Sequence, residues 1–169
     1  MANANDRLLQ WARDAHAMEA QAETMLGLTA SRLENFPELK TRLEQHREET
    51  RRQAQMLQDA IERLGGDTSA VKDLAGKAMA TAQGLSGMLV GDEVAKALLA
   101  IYTFEHMEIA SYRQLISAAQ FCGRPQFRQT CEAILREEEA MASWLAEQMP
   151  LFVTRYLQLE ETPGATAKH

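Results

Sequence analysis

The chain has 169 residues and a net charge of −6, with 46% hydrophobic and 25% charged residues. This composition suits one globular domain with a sizeable core, and it argues against a general nucleic-acid binder because no basic stripe stands out to neutralise phosphates. No apolar run reaches the roughly 18 residues that a membrane span needs. The two cysteines form neither a CxxC pair nor a disulfide framework, and no secretory signal pattern is visible, so we expect a reduced, cytoplasmic setting.

The first predicted helix covers residues 5–35, with Asn5 or Asp6 as its N-cap. Its apolar residues recur at helical spacing at Leu8, Ala12, Ala15, Ala22, Leu26 and Leu33. Glu19 fills the gap in this stripe and lies about 30° from the stripe centre. Pro37 then breaks the pattern, because a proline disfavours a helical residue before it. The short connection predicts that the first two helices are antiparallel neighbours.

The second predicted helix covers residues 38–64 and has a polar middle between two apolar ends. His46 and Gln53 lie near the centre of its inward face, whereas Glu49 lies about 65° away, at the edge of that face. Gly65 follows as a left-handed C-terminal cap.

Residues 68–90 form a weak, glycine-interrupted pattern that predicts a long crossover with one or two short helices. Such a crossover lets the third helix run parallel to the second, as in ferritin-like bundles. The third predicted helix covers residues 92–121. Glu105 and Glu108 lie on its apolar stripe, each about 30° from the centre and on opposite sides of it.

The fourth predicted helix covers residues 125–149, and Glu138 lies almost on the centre line of its apolar stripe. Pro150 is expected to kink or end this helix, and the next dozen residues to form a short terminal helix. The sequence therefore predicts an all-α, up-down four-helix bundle with a long crossover and short extra helices. A single domain is expected over residues 1–162, followed by a polar tail over 163–169.

Each long helix thus carries a glutamate within or beside its apolar stripe. A buried carboxylate is unfavourable unless it is paired or bound to a metal. One such glutamate is usually a salt-bridged residue, but four that recur at mid-helix indicate a shared two-metal site. The Glu105-x-x-Glu108 pair strengthens this hypothesis, because two carboxylates one turn apart repel each other when no cation lies between them.

The usual Glu-x-x-His pattern of di-iron bundles is absent. Arg52 stands three residues after Glu49, and Met141 stands three residues after Glu138. His46 lies three residues before Glu49 instead, which makes it the candidate nitrogen ligand. A core histidine that hydrogen-bonds to a carboxylate is the alternative interpretation, and Gln53 is either a weak oxygen ligand or a supporting hydrogen-bond donor.

Four motifs resemble those of the YciE/YciF-like stress proteins of bacteria, in the same order and over about residues 8–160: DAHAMEAQAETML, NFPELKTRLEQHREETRRQ, FEHMEIASYRQL and AILREEEAMASWL. The resemblance implies a ferritin-like fold, dimers, metal binding and stress-linked expression. The segment that begins at Glu105 also resembles the helix motif of rubrerythrins, in which both glutamates bind iron. By resemblance, the ligands are Glu19, Glu49, Glu105, Glu108 and Glu138.

Two functions follow as expectations. The first is a carboxylate centre for two metal ions, with iron expected and manganese or zinc as alternatives, and with oxidase, peroxidase or metal-handling activity. The second is a non-catalytic structural or partner-binding bundle with a metal-stabilised or vestigial polar core. A homodimer is the expected assembly, with neither nucleic acid nor membrane as a partner, and whether the protein is an enzyme stays open.

Overall fold

The computed structural model describes residues 3–66 and 93–165, and within these ranges the chain contains helices and no strand. The four helices are α1 (Ala4–Ala30), α2 (Pro37–Arg63), α3 (Glu93–Phe121) and α4 (Pro125–Glu161). In this part of the chain, no helix combines the length and the apolarity that are needed to cross a bilayer. The prediction of an all-α four-helix bundle is confirmed.

The start of α1 differs from the prediction, because Asn3 is the N-cap and neither Asn5 nor Asp6 serves as one. The Asn3 side chain accepts a hydrogen bond of 3.0 Å from the backbone N–H of Asp6, and the Asp6 carboxylate accepts one of 3.0 Å from the backbone N–H of Asn3. This reciprocal capping box satisfies two backbone donors at once. Asp6 therefore acts as the partner of the cap.

The α1 helix ends at Ala30, and not at residue 35 as predicted. Leu33 and Phe36 follow in the connection, yet both are buried. Their apolar side chains pack into the core from a non-helical backbone, so the apolar stripe of α1 extends past the end of the helix. Gly65 after α2 has a φ of +82°. This is the left-handed conformation that a glycine cap adopts without steric penalty, as predicted.

Of the two outcomes expected at Pro150, a kink or an end of the fourth helix, the end is wrong, because α4 continues through the proline to Glu161. A proline in a helix interior costs about 3 kcal/mol. Beyond it, Phe152 and Tyr156 are buried, and the Phe152 ring meets that of Phe36 edge-on at 6.3 Å between centroids. Burial of one aromatic side chain contributes about 1.5–3 kcal/mol. Two such residues offset the proline penalty, so the expected short terminal helix is the last part of α4.

Among the described residues, the apolar core forms two clusters, one toward each end of the bundle. The first cluster joins the early part of α1 and the late part of α2 to the late part of α3 and the early part of α4. The second cluster joins the remaining halves of the same helices. Hence α2 and α3 run in the same direction, and the end of α2 lies toward the opposite end of the bundle from the start of α3. The short helices predicted within residues 68–90 lie outside the described residues.

A layer of buried polar residues lies between the two clusters. On α4, for example, Glu138 stands between Ile134 of the first cluster and Met141 of the second. The side chains of the layer are nearly inaccessible to solvent, and they are Glu19, His46, Thr50, Gln53, Glu105, Glu108 and Glu138. The fold therefore brings carboxylates from three helices and an imidazole from α2 to one level of an otherwise apolar interior.

Candidate metal centre

Three side chains from three helices converge at the centre of the polar layer. The Nε2 atom of His46 on α2 lies 3.2 Å from Oε2 of Glu105 on α3 and 3.4 Å from Oε2 of Glu138 on α4. One ligand atom from each residue lies within 4.8 Å of those of the other two, and all three side chains are buried. This group, the inner trio, can hold a metal ion.

Glu49 contacts the other nitrogen of the same imidazole ring. Its Oε2 atom lies 2.8 Å from Nδ1 of His46 and 3.2 Å from Nη1 of Arg42. The side chain is 30% exposed, whereas the inner trio is buried. Glu49 was expected among the metal ligands, but here it lies outside the inner trio, at the edge of α2 where its helical angle placed it.

Glu19 and Glu108 occupy the α1 and α3 sides of the layer. The phenol of Tyr112 donates a hydrogen bond to Oε1 of Glu19, and both side chains are buried. This contact links α3 to α1 at the level of the polar layer. Neither carboxylate oxygen of Glu108 has a hydrogen-bond partner among the described residues.

Ligand atoms without a hydrogen bond are concentrated in this layer. Buried polar atoms in native proteins are nearly always hydrogen-bonded, so each exception needs an explanation. Seven carboxylate and imidazole atoms of the layer make no hydrogen bond within the described part of the chain: Glu19 Oε2, His46 Nε2, Glu105 Oε2, both oxygens of Glu108 and both oxygens of Glu138. Oxygen-rich donor sets with one imidazole suit divalent transition metals. The residues present therefore fit a metal centre.

The electrostatics of the inner trio favour a charged imidazole when no metal is bound. Burial alone would lower the pKa of His46, but Glu105, Glu138 and Glu49 outweigh it and raise this pKa to about 12. The ring then carries a proton on each nitrogen. Its positive charge compensates part of the negative charge of the carboxylates, as a metal ion would.

Three carboxyl groups of the layer, those of Glu105, Glu19 and Glu108, are held toward their neutral forms. Burial raises the pKa of Glu105 to about 7, although His46 opposes the shift. Burial and then the charge of Glu138 raise the pKa of Glu19 well above its ordinary value, and the hydrogen bond from Tyr112 acts against them. For Glu108, burial and then the charges of Glu19 and Glu138 raise the pKa in the same way. Like-charged carboxylates that crowd one dry layer retain protons unless a cation replaces them.

The family described as a domain of unknown function (DUF892) matches residues 3–158. The chain belongs to this family. The crystal structure of a protein from Xanthomonas campestris pv. campestris is 40% identical, with a TM-score of 0.83 over 95% of this chain and 100% of that one. YcfI from Rhodopseudomonas palustris is 27% identical, with a TM-score of 0.67 over 86% of this chain and 94% of its own. YcfI carries the provisional description of a structural protein.

In this DUF892 chain, Glu137 on α4 links α4 to α2 through hydrogen bonds. Its carboxylate accepts a hydrogen bond of 2.9 Å from the Gln53 amide and one of 2.7 Å from Arg52. The Gln53 amide nitrogen is thereby occupied, while its Oε1 atom is buried without a hydrogen bond among the described residues. Gln53 therefore supports the layer through Glu137, and its free oxygen keeps open the alternative of a weak ligand.

Sequence reasoning missed Arg42 and Glu137 as members of the site. Arg42 lies seven residues before Glu49, which is about two helical turns, so helical spacing does place them on one side of α2. Glu137 is half-exposed and carries no such signal, because its partners belong to another helix and only packing brings them together. In this DUF892 chain both residues surround the inner trio without entering it.

Proposed function

We propose that this protein binds two divalent transition-metal ions in its polar layer. The observation that carries the proposal is the set of seven buried ligand atoms without a hydrogen bond. Each unsatisfied buried polar group costs about 1–3 kcal/mol in a protein interior. The charged imidazole of His46 forms ion pairs with Oε2 of Glu105 and with Oε2 of Glu138 in the metal-free protein. Within the described residues the other four atoms, namely Glu19 Oε2, both oxygens of Glu108 and Glu138 Oε1, stay unsatisfied unless a metal ion joins them.

The inner trio supplies the ligands for one ion, namely His46, Glu105 and Glu138. Glu19 and Glu108 would supply ligands for the second ion, and the Glu138 carboxylate would contribute to both sites. Both Glu138 oxygens are buried without a hydrogen bond within the described ranges, which supports this shared role. Tyr112 orients Glu19 by its hydrogen bond and leaves Oε2 of that carboxylate available.

Iron is the expected metal, with manganese and zinc as the alternatives, because carboxylate oxygens with one imidazole suit all three. Bound iron would supply redox chemistry toward oxygen or peroxide. The residues of the chain would hold the ions on rigid helices and exclude bulk water. The resemblance to YciE/YciF-like stress proteins supports a stress-linked oxidase, peroxidase or metal-handling activity.

A second candidate function is that of a structural bundle whose polar layer is stabilised by metal but performs no chemistry. The provisional description of YcfI favours it. So does the presence of Met141 where di-iron bundles carry the histidine of a Glu-x-x-His motif. In this case metal would bind and stabilise the fold, and the protein would not react with oxygen.

Metal analysis of three proteins tests the proposal. The wild type, Glu138→Ala and the control Glu139→Ala are purified without metal, incubated with Fe²⁺, Mn²⁺ or Zn²⁺, desalted and measured by elemental mass spectrometry. We expect about two ions per chain for the wild type and the exposed control, and at most one for Glu138→Ala. A wild type that retains no ion would refute the proposal. Absorbance after oxygen is added to the Fe²⁺-loaded wild type then separates the two candidate functions, since only the first predicts a change.

We also propose that the protein is a homodimer, as the resemblance implies. Three large apolar residues on α3 are exposed to solvent: Leu99 by 62%, Met107 by 47% and Phe121 by 82%. Exposed apolar residues of this kind often mark contact surfaces. Light scattering after size-exclusion chromatography measures the mass directly. A mass of one chain at micromolar concentration would contradict the proposal.

A further inference from the structure

The carboxylate of Glu49 is bonded to the outer nitrogen of the histidine in the inner trio. We propose that Glu49, itself held by Arg42, is a positioning residue that keeps Nε2 of His46 turned toward Glu105 and Glu138, and that it is not a metal ligand. The inference rests on the proposed function, because it concerns how that site acquires its single nitrogen donor.

The first argument is geometric. Nδ1 and Nε2 lie on different sides of the imidazole ring, and the structure uses them for different purposes. Nδ1 lies 2.8 Å from Oε2 of Glu49, while Nε2 lies 3.2 Å from Oε2 of Glu105. An ion bound at Nε2 would have the ring between itself and the Glu49 oxygen. Glu49 therefore fixes the ring orientation, and with Nδ1 bearing the hydrogen it leaves Nε2 as the donor atom.

The second argument concerns how Glu49 is held. The same Oε2 atom lies 3.2 Å from Nη1 of Arg42, so one oxygen faces two cationic or donor groups. The ion pair is only partly exposed, with 17% of the Arg42 side chain and 30% of the Glu49 side chain accessible. Arg42 holds the carboxylate in place as an acceptor. None of the seven ligand atoms of the layer without a hydrogen bond belongs to Glu49.

This arrangement makes Glu49 a determinant of metal selectivity. Imidazole nitrogen favours iron, zinc and similar metals, whereas sites made only of oxygen suit Mg²⁺ and Ca²⁺. A ring free to rotate would offer Nε2 for only part of the time. Loss of such an outer hydrogen bond to a metal-binding histidine typically weakens metal affinity about 10–100-fold. The affinity for Mg²⁺, which gains little from imidazole, would change less.

The test uses Co²⁺ as a spectroscopic probe and compares wild type, Glu49→Ala, Glu49→Gln and the control Glu48→Ala, an exposed glutamate beside it. Affinity is measured by competition with a chelator, and circular dichroism verifies that each variant is folded. We expect Glu49→Ala to bind Co²⁺ about 10–100-fold more weakly with an unchanged number of ions. Glu49→Gln should recover most of the affinity, because its amide oxygen still accepts the hydrogen of Nδ1. Glu48→Ala should match the wild type.

A double-mutant cycle with His46→Ala shows whether Glu49 acts through the histidine. The expected result is that Glu49→Ala adds no further loss of Co²⁺ affinity once His46 is absent. If Glu49→Ala and Glu49→Gln both lower the number of ions and change the Co²⁺ spectrum, Glu49 is a ligand, and this inference fails while the proposed function stands. Unchanged affinity in Glu49→Ala would also overturn it. A wild type that binds no Co²⁺, Fe²⁺, Mn²⁺ or Zn²⁺ would refute the proposed function and the inference together.

Discussion

Tyr112 on α3 and Glu19 on α1 are joined by a hydrogen bond that is closed off from solvent on every side. The phenol is the donor and the carboxyl oxygen Oε1 is the acceptor. Burial, followed by the charge of Glu19, raises the pKa of Tyr112 well above its ordinary value, so the phenol stays protonated and remains a donor. The bond ties two helices together at the polar layer, and it satisfies one of the two oxygens of Glu19.

Tyr112→Phe should therefore lower the free energy of unfolding of the metal-free protein by about 1–3 kcal/mol, because Oε1 of Glu19 loses its partner while it remains buried. Urea denaturation in the presence of a chelator measures the change. Tyr102→Phe is the control, since Tyr102 is a partly exposed residue on the same helix, and it should have little effect. Equal stability of the two variants would show that the bond contributes nothing measurable.

Glu108→Met should have opposite effects on stability and on metal binding. Both oxygens of Glu108 are buried without a hydrogen bond within the described residues, so an apolar side chain of similar size should stabilise the metal-free protein by about 1–3 kcal/mol. The same change should reduce the bound metal from two ions to one. Urea denaturation and elemental analysis measure the two effects. Glu44→Met, at an exposed position on α2, is the control, and a Glu108→Met protein that is destabilised would argue against an unsatisfied carboxyl group.

The metal-free protein should lose stability as the pH rises from 5 to 8. The pKa of Glu105 is 4.5 when unfolded and about 7 when folded, so across this interval the native state binds more protons than the unfolded state. The pKa of His46 rises from 6.5 to about 12 on folding. The stability that His46 contributes therefore also decreases as the pH rises above 6.5. The raised pKa of Glu105 alone changes the free energy of unfolding by on the order of 3 kcal/mol.

Urea denaturation in a chelator at several pH values checks this prediction. Saturation with Mn²⁺ or Zn²⁺ should reverse the trend, because the ions displace protons from the same groups and bind more tightly as the pH rises. At acid pH the dependence of stability on pH has the opposite sign. The pKa of Glu49 is lower in the folded protein than in the unfolded one, so the stabilising contribution of Glu49 is lost as the pH falls below about 4.5. A metal-free protein whose stability increases from pH 5 to 8 would contradict the assignment.

Pro150→Ala should stabilise the protein by about 1–3 kcal/mol. The proline lies on the exposed side of α4, so its removal creates no cavity, and alanine restores a backbone N–H to an intact helix. Thermal and urea unfolding measure the gain. Leu151→Ala, a change at the exposed neighbouring residue, should stay within about 0.5 kcal/mol of the wild type. No gain in Pro150→Ala would mean that α4 already accommodates the ring without loss.

The fold of this protein follows closely from helical periodicity, and the errors have local causes. The spacing of apolar residues predicted four long helices and the face that each one buries, because a buried face must recur about every 3.6 residues. The end of α4 was predicted wrongly at Pro150, since a local penalty says nothing about the aromatic packing of Phe152 beyond it. The cap of α1 was misplaced because Asp6 is a good cap by itself and Asn3 becomes the better one only when Asp6 serves as its partner.

The sequence by itself determined which carboxylates lie in the core. Glu19, Glu105, Glu108 and Glu138 lie on apolar stripes, and a stripe position on a helix is a local property that no other element can change. The hydrogen-bond and ion-pair partners of these carboxylates are not a local property, because they belong to helices that are distant in the chain. Only the tertiary structure decided that His46 faces Glu105 and Glu138 through one nitrogen and Glu49 through the other, and that Tyr112 bonds to Glu19. Periodicity gives a direction around one helix axis, whereas a contact requires the rotation and axial position of two helices, and packing alone sets those.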